Sequence, residues 1–236
     1  MRKRRPSTGA GDDAGLPATP DPSVVTRLAP HPRREGRFAV ELNDVSAGHL
    51  SIDLVSDLAV RTGSTVEGPA LANLLDAMRR TALLDKALDL LAVSDRSTRD
   101  LSARLRRHAG DAGDIPWVVD RLTAQGYLDD VTYARRVAES RARSRAVSRR
   151  AIRDELQRKG IAPDLARSVL AEVADDVELD DYATALAAAR RRLRALQSYD
   201  HPTRRRRLAA WLARRGFEGE VIGRALRELL VDEGRD

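Results

Sequence analysis

The chain has 236 residues, of which 42% are hydrophobic, 33% are charged and only 3% are aromatic, so its core must be built from Leu, Val, Ile and Ala, a composition that favours helices. The absence of cysteine excludes disulfides, thiolate metal sites and cysteine catalysis. An excess of 42 Lys and Arg over 36 Asp and Glu fits a polyanionic partner or an acidic protein surface better than a neutral small substrate.

The N-terminal third is predicted to contain a disordered tail and a small mixed module. Residues 1–35 are rich in Pro, Gly, Ser, Thr and charge and show no hydrophobic period, which is typical of a disordered tail. Arg37–Leu42 alternates like a short strand, and a turn of Asn and Asp follows it. Leu50–Val60 has near-helical spacing, with Ser51 as its N-cap. We therefore expect a module of one strand and helices over residues 36–82.

From about residue 84 onward the hydrophobic spacing is helical and repeats along the chain. Gly160 and Gly216 are 56 residues apart, and the same offset relates the apolar residues that follow them. Each glycine comes after a basic helix end and permits a left-handed cap, and Gly110 marks a looser earlier copy. The sequence therefore predicts an all-α, elongated array of three tandem three-helix repeats, over residues 83–131, 132–179 and 180–233.

Several strings in these repeats resemble those of the RecX family. They are Arg96–Leu101, Gly126–Asp130 followed by Tyr133 and Ala134, Leu156 with Lys159–Ile161, and Arg215–Phe217 with Ile222, and Phe38–Gly63 is similar to the leader of longer family members. Their order and spacing over three repeats make the resemblance specific, and it covers roughly residues 36–232.

The resemblance implies a non-enzymatic regulator of the RecA recombinase. Such proteins lie in the helical groove of the filament that RecA forms on single-strand DNA, and they contact neighbouring protomers. They limit filament growth, ATP hydrolysis, strand exchange and RecA-stimulated repressor cleavage. The resemblance thus implies a role in DNA repair, homologous recombination and the SOS response, with the filament and its single-strand DNA as partners. We expect a monomer that needs no cofactor.

The string Gly126–Asp130 has two interpretations. It is either a partner contact or a structural turn, in which the glycine ends a helix, Tyr127 packs in the turn and Asp130 caps the next helix. We favour the structural interpretation. By the same logic Ser97 and Ser148 are expected to be N-caps.

Arginine clusters are the best candidates for contacts with a partner or with DNA. One cluster crowds the join between the first two helices of repeat two, and the others lie late in the opening helix of repeat three and at the start of its next helix. In the last cluster positive charge opposes the helix dipole, which indicates an external anion. An ordinary solvated face is the alternative for any single arginine. The candidates are Arg141, Arg143, Arg145, Arg149, Arg150, Arg153, Arg190, Arg191, Arg194, Arg204, Arg205, Arg206 and Arg207.

The motifs of common enzymes are not found in the sequence. The four histidines are scattered without metal-ligand spacing, and neither a phosphate-binding loop nor a nucleophile elbow occurs. We therefore expect no catalytic, cofactor-binding or metal-binding residues. Two alternatives remain: a direct DNA-binding protein built from units like helix-turn-helix motifs and, more remotely, a hydrolase without a recognisable motif.

The cellular location is predicted from two further features of the sequence. The basic start runs into proline without an apolar stretch, and no apolar run is long enough to span a membrane. We therefore expect a soluble cytoplasmic protein.

Overall fold

The computed structural model describes residues 20–144, 146–177 and 179–231. Its contacts divide the chain into two compact units. The first comprises the described residues up to Ser94 together with Leu101–Tyr127, and the second comprises Asp95–Asp100 together with the described residues from Leu128 onward. Over these residues, no helix is both long and apolar enough to cross a membrane.

The first unit opens with an antiparallel sheet whose strands are ordered β3-β2-β1-β4. The strands are β1 (Ser23–Pro30), β2 (Arg37–Leu42), β3 (Val45–Ser51) and β4 (Thr65–Val66). The β2–β3 turn consists of Asn43 and Asp44, both with positive φ, as a two-residue hairpin of matching twist requires. The predicted strand over residues 37–42 and the turn after it are confirmed.

Strand β1 corrects the predicted boundary of the tail at residue 35. It pairs with β2, and its Val25 is fully buried in the core of the sheet. The β-branched run Val24-Val25-Thr26 favours a strand, but it is short and stands in a segment dominated by proline and charge. Residues 1–19 of the predicted tail lie outside the described residues.

The helix predicted over Leu50–Val60 is shorter in the structure, since α1 spans only Ile52–Asp57. Leu50 belongs to β3, where it is fully buried. Ser51 caps α1 as predicted, because its side chain accepts a hydrogen bond from the Leu54 N–H.

Helix α2 (Gly68–Val93) runs through the predicted boundary between the module and the first repeat at residue 82. Its N-terminal half buries Leu74 and Met78 against the sheet, and its C-terminal half buries Leu84 and Ala87. The helices α3 (Thr98–Leu105) and α4 (Asp114–Ala124) follow, and α4 packs against α2. The module and the first repeat therefore share one continuous helix.

A buried ionic network joins the sheet to α2. The Asp85 carboxylate accepts hydrogen bonds from Arg37 Nε at 3.0 Å and Nη2 at 2.6 Å, and His49 Nε2 lies 2.9 Å from it. Burial alone would raise the pKa of Asp85, but the hydrogen bonds and charges of His49 and Arg37 outweigh it and lower the pKa to about 2. Asp85 is therefore ionised and compensated at neutral pH.

A second buried carboxylate, Asp114, joins α4 to α2. It accepts hydrogen bonds from Arg79 Nε at 2.5 Å and from Arg80 Nε at 2.9 Å. Burial opposes ionisation, but these two hydrogen bonds and the accompanying charges keep the pKa of Asp114 below its ordinary value. An aspartate at the start of a helix commonly caps that helix. Instead Gly113 is the N-cap residue, and the carboxylate pairs across to the neighbouring helix.

The second unit contains two sets of three helices, each around its own apolar core. Ile152 and Leu156 in one core and Leu208 and Leu212 in the other are fully buried and lie 56 residues apart in sequence. This equivalence confirms the three-helix prediction for the second and third repeats. The helices are α5 (Asp130–Ala142), α6 (Arg149–Arg158), α7 (Pro163–Asp176), α8 (Asp181–Leu193), α9 (His201–Ala213) and α10 (Gly219–Val231), with a 3-10 turn at Arg194–Leu196.

Candidate partner-binding surface

The starts of α3 and α6 lie against the ends of α6 and α9, respectively, through the same hydrogen bonds. Ser97 Oγ accepts from the backbone N–H three residues ahead and donates to the Lys159 carbonyl at 2.5 Å. Ser148 Oγ accepts from the N–H three residues ahead and donates to the Arg215 carbonyl at 3.2 Å. The predicted N-cap role of both serines is confirmed, and each hydroxyl also joins two helices.

A glycine completes each of these two junctions. Gly160 has φ +92° and Gly216 has φ +83°, in the left-handed region that side chains rarely adopt. A Cβ at Gly160 would lie 2.7 Å from Ser97 Oγ, and one at Gly216 would lie 2.7 Å from Ser148 Oγ. Backbone conformation and close approach therefore both require glycine.

Two aspartates strengthen the junctions. Asp130 Oδ1 accepts from the Thr98 N–H at 2.8 Å, and Asp181 Oδ1 accepts from the Arg149 N–H at 2.9 Å. Asp130 thus caps α3, whereas the sequence suggested that it caps the helix that follows it. That helix, α5, is capped by Asp129, whose side chain accepts from two of its backbone N–H groups.

The string Gly126–Asp130 is structural only in part. Leu128 is buried, but Tyr127 is 60% exposed and does not pack in the turn as predicted. The aromatic residue therefore has no packing role that accounts for it.

The candidate arginines of repeat two are largely compensated within the protein. The ion pairs are Arg141–Glu155 at 2.7 Å, Arg143–Glu139 at 3.2 Å, and Arg150–Asp154 and Arg153–Asp154 at 3.9 Å each. The Arg149 guanidinium donates to the Leu179 carbonyl, so this side chain supports the junction. Arg145 lies outside the described residues.

The candidate arginines of repeat three lie in a stretch of high positive charge. Eight arginines and one aspartate between residues 190 and 207 give a formal charge of +7, more than the +6 of the whole chain. Arg190 pairs with Glu228 at 3.0 Å. In the described part of the chain, no carboxylate lies within ion-pair distance of Arg191, Arg194 or Arg205, and all three are exposed.

Three further arginines of this run interact with their neighbours. Arg204 Nε donates to the Tyr199 carbonyl at 2.9 Å, and the Arg207 guanidinium lies 4.1 Å from the centre of the Tyr199 ring. Arg206 interacts electrostatically with Asp200, whose pKa is lowered chiefly by a hydrogen bond from Thr203. The clusters of α8 and α9 both belong to the third repeat, and Arg191 of α8 lines an open cleft together with Arg143 of repeat two. We call the run Arg190–Arg207 the basic segment.

The described residues show no cluster of ionisable side chains arranged for catalysis or metal binding. An open cleft of about 520 Å³ lies between the end of α5 and α8, and its carboxylate, Asp180, is the N-cap of α8. No group of three or more metal-ligating side chains occurs in the ranges that the structure describes.

The fold and this surface define a class of protein built from three-helix repeats, with an arginine-rich surface on the last of them. The model of the second three-helix domain of RecX matches residues 129–170, and that of the third matches residues 179–226. This chain belongs to the RecX family of regulatory proteins.

Named relatives and solved structures agree with this membership. The regulatory protein RecX of Prosthecochloris aestuarii is 31% identical over 63% of this chain and 94% of the relative, and that of Streptomyces coelicolor is 33% identical over 63% and 78%. A crystal structure of a regulatory protein RecX covers 89% of this chain and 99% of its own, with TM-score 0.67 and 18% identity. A crystal structure of RecX from Lactobacillus salivarius covers 64% of this chain and 96% of its own, with TM-score 0.55 and 17% identity. The structural likeness concerns the fold.

Proposed function

We propose that this protein binds filaments of a RecA-type recombinase on single-strand DNA and limits their growth, ATP hydrolysis, strand exchange and stimulation of repressor cleavage. It acts as a monomer and by binding alone, in the cytoplasm, as part of DNA repair, recombination and the SOS response. Family membership and the resemblance of its repeat strings support this proposal. The formal charge of +7 in the basic segment is the observation on which the mode of binding rests.

Repetition within the second unit suits a periodic partner. The two junctions use the same serine, carbonyl and glycine contacts, so equivalent surfaces recur along the chain. A filament also repeats its subunits, and several modest contacts made together give high avidity without a deep pocket. Binding one state of the filament more tightly than another shifts its assembly, as linkage requires.

The basic segment is better suited to bind a partner than the arginines of repeat two. Arg150 and Arg153 already share a carboxylate, so a new anion gains less from them. Arg191, Arg194 and Arg205 have no such competitor among the described residues. Phosphates or acidic side chains of the filament would therefore be attracted first to repeat three.

Direct binding to DNA is a second candidate function. The observation that favours it is the charge of +7 within 18 residues of one three-helix repeat. It predicts tight, salt-sensitive binding to naked DNA. Comparable affinity for naked DNA and for recombinase-coated DNA would support this alternative.

The basic segment is tested by co-sedimentation with recombinase filaments. We expect the double change Arg205→Ala and Arg206→Ala to weaken capture by about tenfold, with a smaller salt dependence, because two phosphate or carboxylate contacts are lost. The control, Arg150→Ala with Arg153→Ala, removes the same charge from residues that are already paired and should change capture less than about twofold.

Two results would contradict the proposal. Equal capture by the two double variants would show that the basic segment does not contact the filament. Filament ATP hydrolysis that stays unchanged with the wild-type protein in excess would refute the regulatory role itself.

A further inference from the structure

Tyr199 is an exposed aromatic residue within the basic segment. It lies between the 3-10 turn and α9 and is 38% exposed, and it does not belong to the apolar core of the third repeat. Arg207 covers its ring at 4.1 Å from the centroid, and Arg204 donates to its carbonyl. Tyr199 is therefore held by one guanidinium group at its ring and another at its backbone, and it does not pack in the core.

The other arginine–aromatic pairs of this repeat differ from Tyr199. Tyr182 lies beneath Arg224 at 3.8 Å, but it packs against the core and its hydroxyl donates to Glu228. Trp211, beneath Arg215, also packs against the core. These two pairs have a structural explanation that the Tyr199–Arg207 pair lacks.

The charges around Tyr199 are unevenly balanced. The nearest carboxylate in sequence, Asp200, accepts a hydrogen bond from Thr203 and faces Arg206, while the neighbouring Arg205 has no ion pair in the described part of the chain. An anionic ligand that also presents a flat apolar surface would satisfy both the guanidinium groups and the ring.

We propose that the Tyr199–Arg207 pair is a stacking site for one unpaired nucleobase, with Arg205 binding a phosphate of the same strand. This inference rests on the proposed role of the basic segment and identifies its ligand as single-strand nucleic acid. Bases stack on aromatic rings and on guanidinium planes, and a duplex hides its base faces. An acidic protein surface would engage the arginines but would leave the ring unused.

Stacking gives this site a preference for strand state without a preference for sequence. Every base presents a flat face, so the base identity should matter little, whereas pairing removes that face from reach. The neighbouring guanidinium groups bind the backbone of either form. Single-strand and duplex affinities should therefore respond differently to loss of the ring.

The test uses the full-length protein and labelled oligonucleotides at fixed salt. We expect Tyr199→Ala to weaken binding of a single strand by about tenfold and binding of a duplex of equal length by less than about twofold. Tyr199→Phe should bind like the wild type, because it keeps the ring. Val93→Ala, at an exposed apolar residue outside the basic segment, should leave both affinities unchanged. A 2-aminopurine base in the strand should be quenched by wild type and Tyr199→Phe but not by Tyr199→Ala.

The outcomes separate this inference from the proposed function. Equal losses on single strand and duplex, or quenching that persists in Tyr199→Ala, would overturn the stacking site. If filament capture depends on Arg205 and Arg206 while Tyr199→Ala binds single strands normally, stacking is wrong and the basic segment stands. If neither set of changes matters, the proposed surface itself is wrong.

Discussion

Gly216→Ala is expected to lower the free energy of unfolding by about 3 kcal/mol, because a left-handed backbone and overpacking each cost about 1 to 3 kcal/mol. The added Cβ would lie 2.7 Å from Ser148 Oγ and 2.9 Å from Ala151 Cβ, both in the first turn of α6 or at its cap. Neither neighbour is the tip of a flexible side chain. Relief of the clash must therefore separate α6 from the end of α9 and weaken the bond from Ser148 to the Arg215 carbonyl.

Gly126→Ala is the matched control for this change. Gly126 also has positive φ, +75°, but an added Cβ there would meet nothing within 4 Å. It should cost only about 1 to 2 kcal/mol, from backbone strain alone. Urea unfolding of both variants measures the difference. Equal losses of stability would show that close approach at the junction contributes nothing.

Asp85→Asn is expected to destabilise the protein by about 3 kcal/mol at pH 7, because it leaves the partly buried Arg37 guanidinium without its counter-charge. The Asp85 carboxylate contacts both Arg37 of β2 and His49 of β3. One substitution therefore weakens the attachment of both strands to α2. Asp89→Asn is the control. Asp89 pairs with Arg34 on the surface, and its loss should cost less than about 0.5 kcal/mol.

The contribution of Asp85 should also depend on pH. Its pKa is about 2 in the folded protein and about 3.9 when unfolded, so ionised Asp85 stabilises the fold fully above about pH 4. Because the folded pKa is the lower one, this stability is lost as pH falls from about 4 through 2. The free energies of unfolding of the wild type and of Asp85→Asn should therefore converge as pH falls across this range. A constant difference down to pH 2 would contradict the assignment.

Local patterns in the sequence predicted local features well. The 56-residue spacing of Gly160 and Gly216 identified two helix ends, and the serines before α3 and α6 were correctly predicted to be caps. These features depend on residues three or four positions apart. The partners of the same serines, Lys159 and Arg215, lie 62 and 67 residues away, and no local rule reports them.

The errors came from side chains with a distant partner. Asp114 and Asp130 each begin a helix, where capping is the usual role, yet Arg79 and the Thr98 N–H, 35 and 32 residues away, take their carboxylates. The arginine clusters show the same limit. Sequence identifies the arginines, but only the fold shows that Glu228 compensates Arg190 while Arg205 has no such partner among the described residues.

The shared geometry of the two junctions makes them interchangeable parts. The helix starts at Ser97 and Ser148 each donate a serine hydrogen bond to a carbonyl at the end of another helix. The glycine that follows α6 or α9 allows the same close approach at both junctions. Duplication of residues 129–179 would thus extend the chain by a copy that carries its own Asp129 and Asp130, so its ends match those of its neighbours. This lengthened protein should unfold in one cooperative transition near the wild-type melting temperature. A separate transition at lower temperature would show that the two junctions are not equivalent.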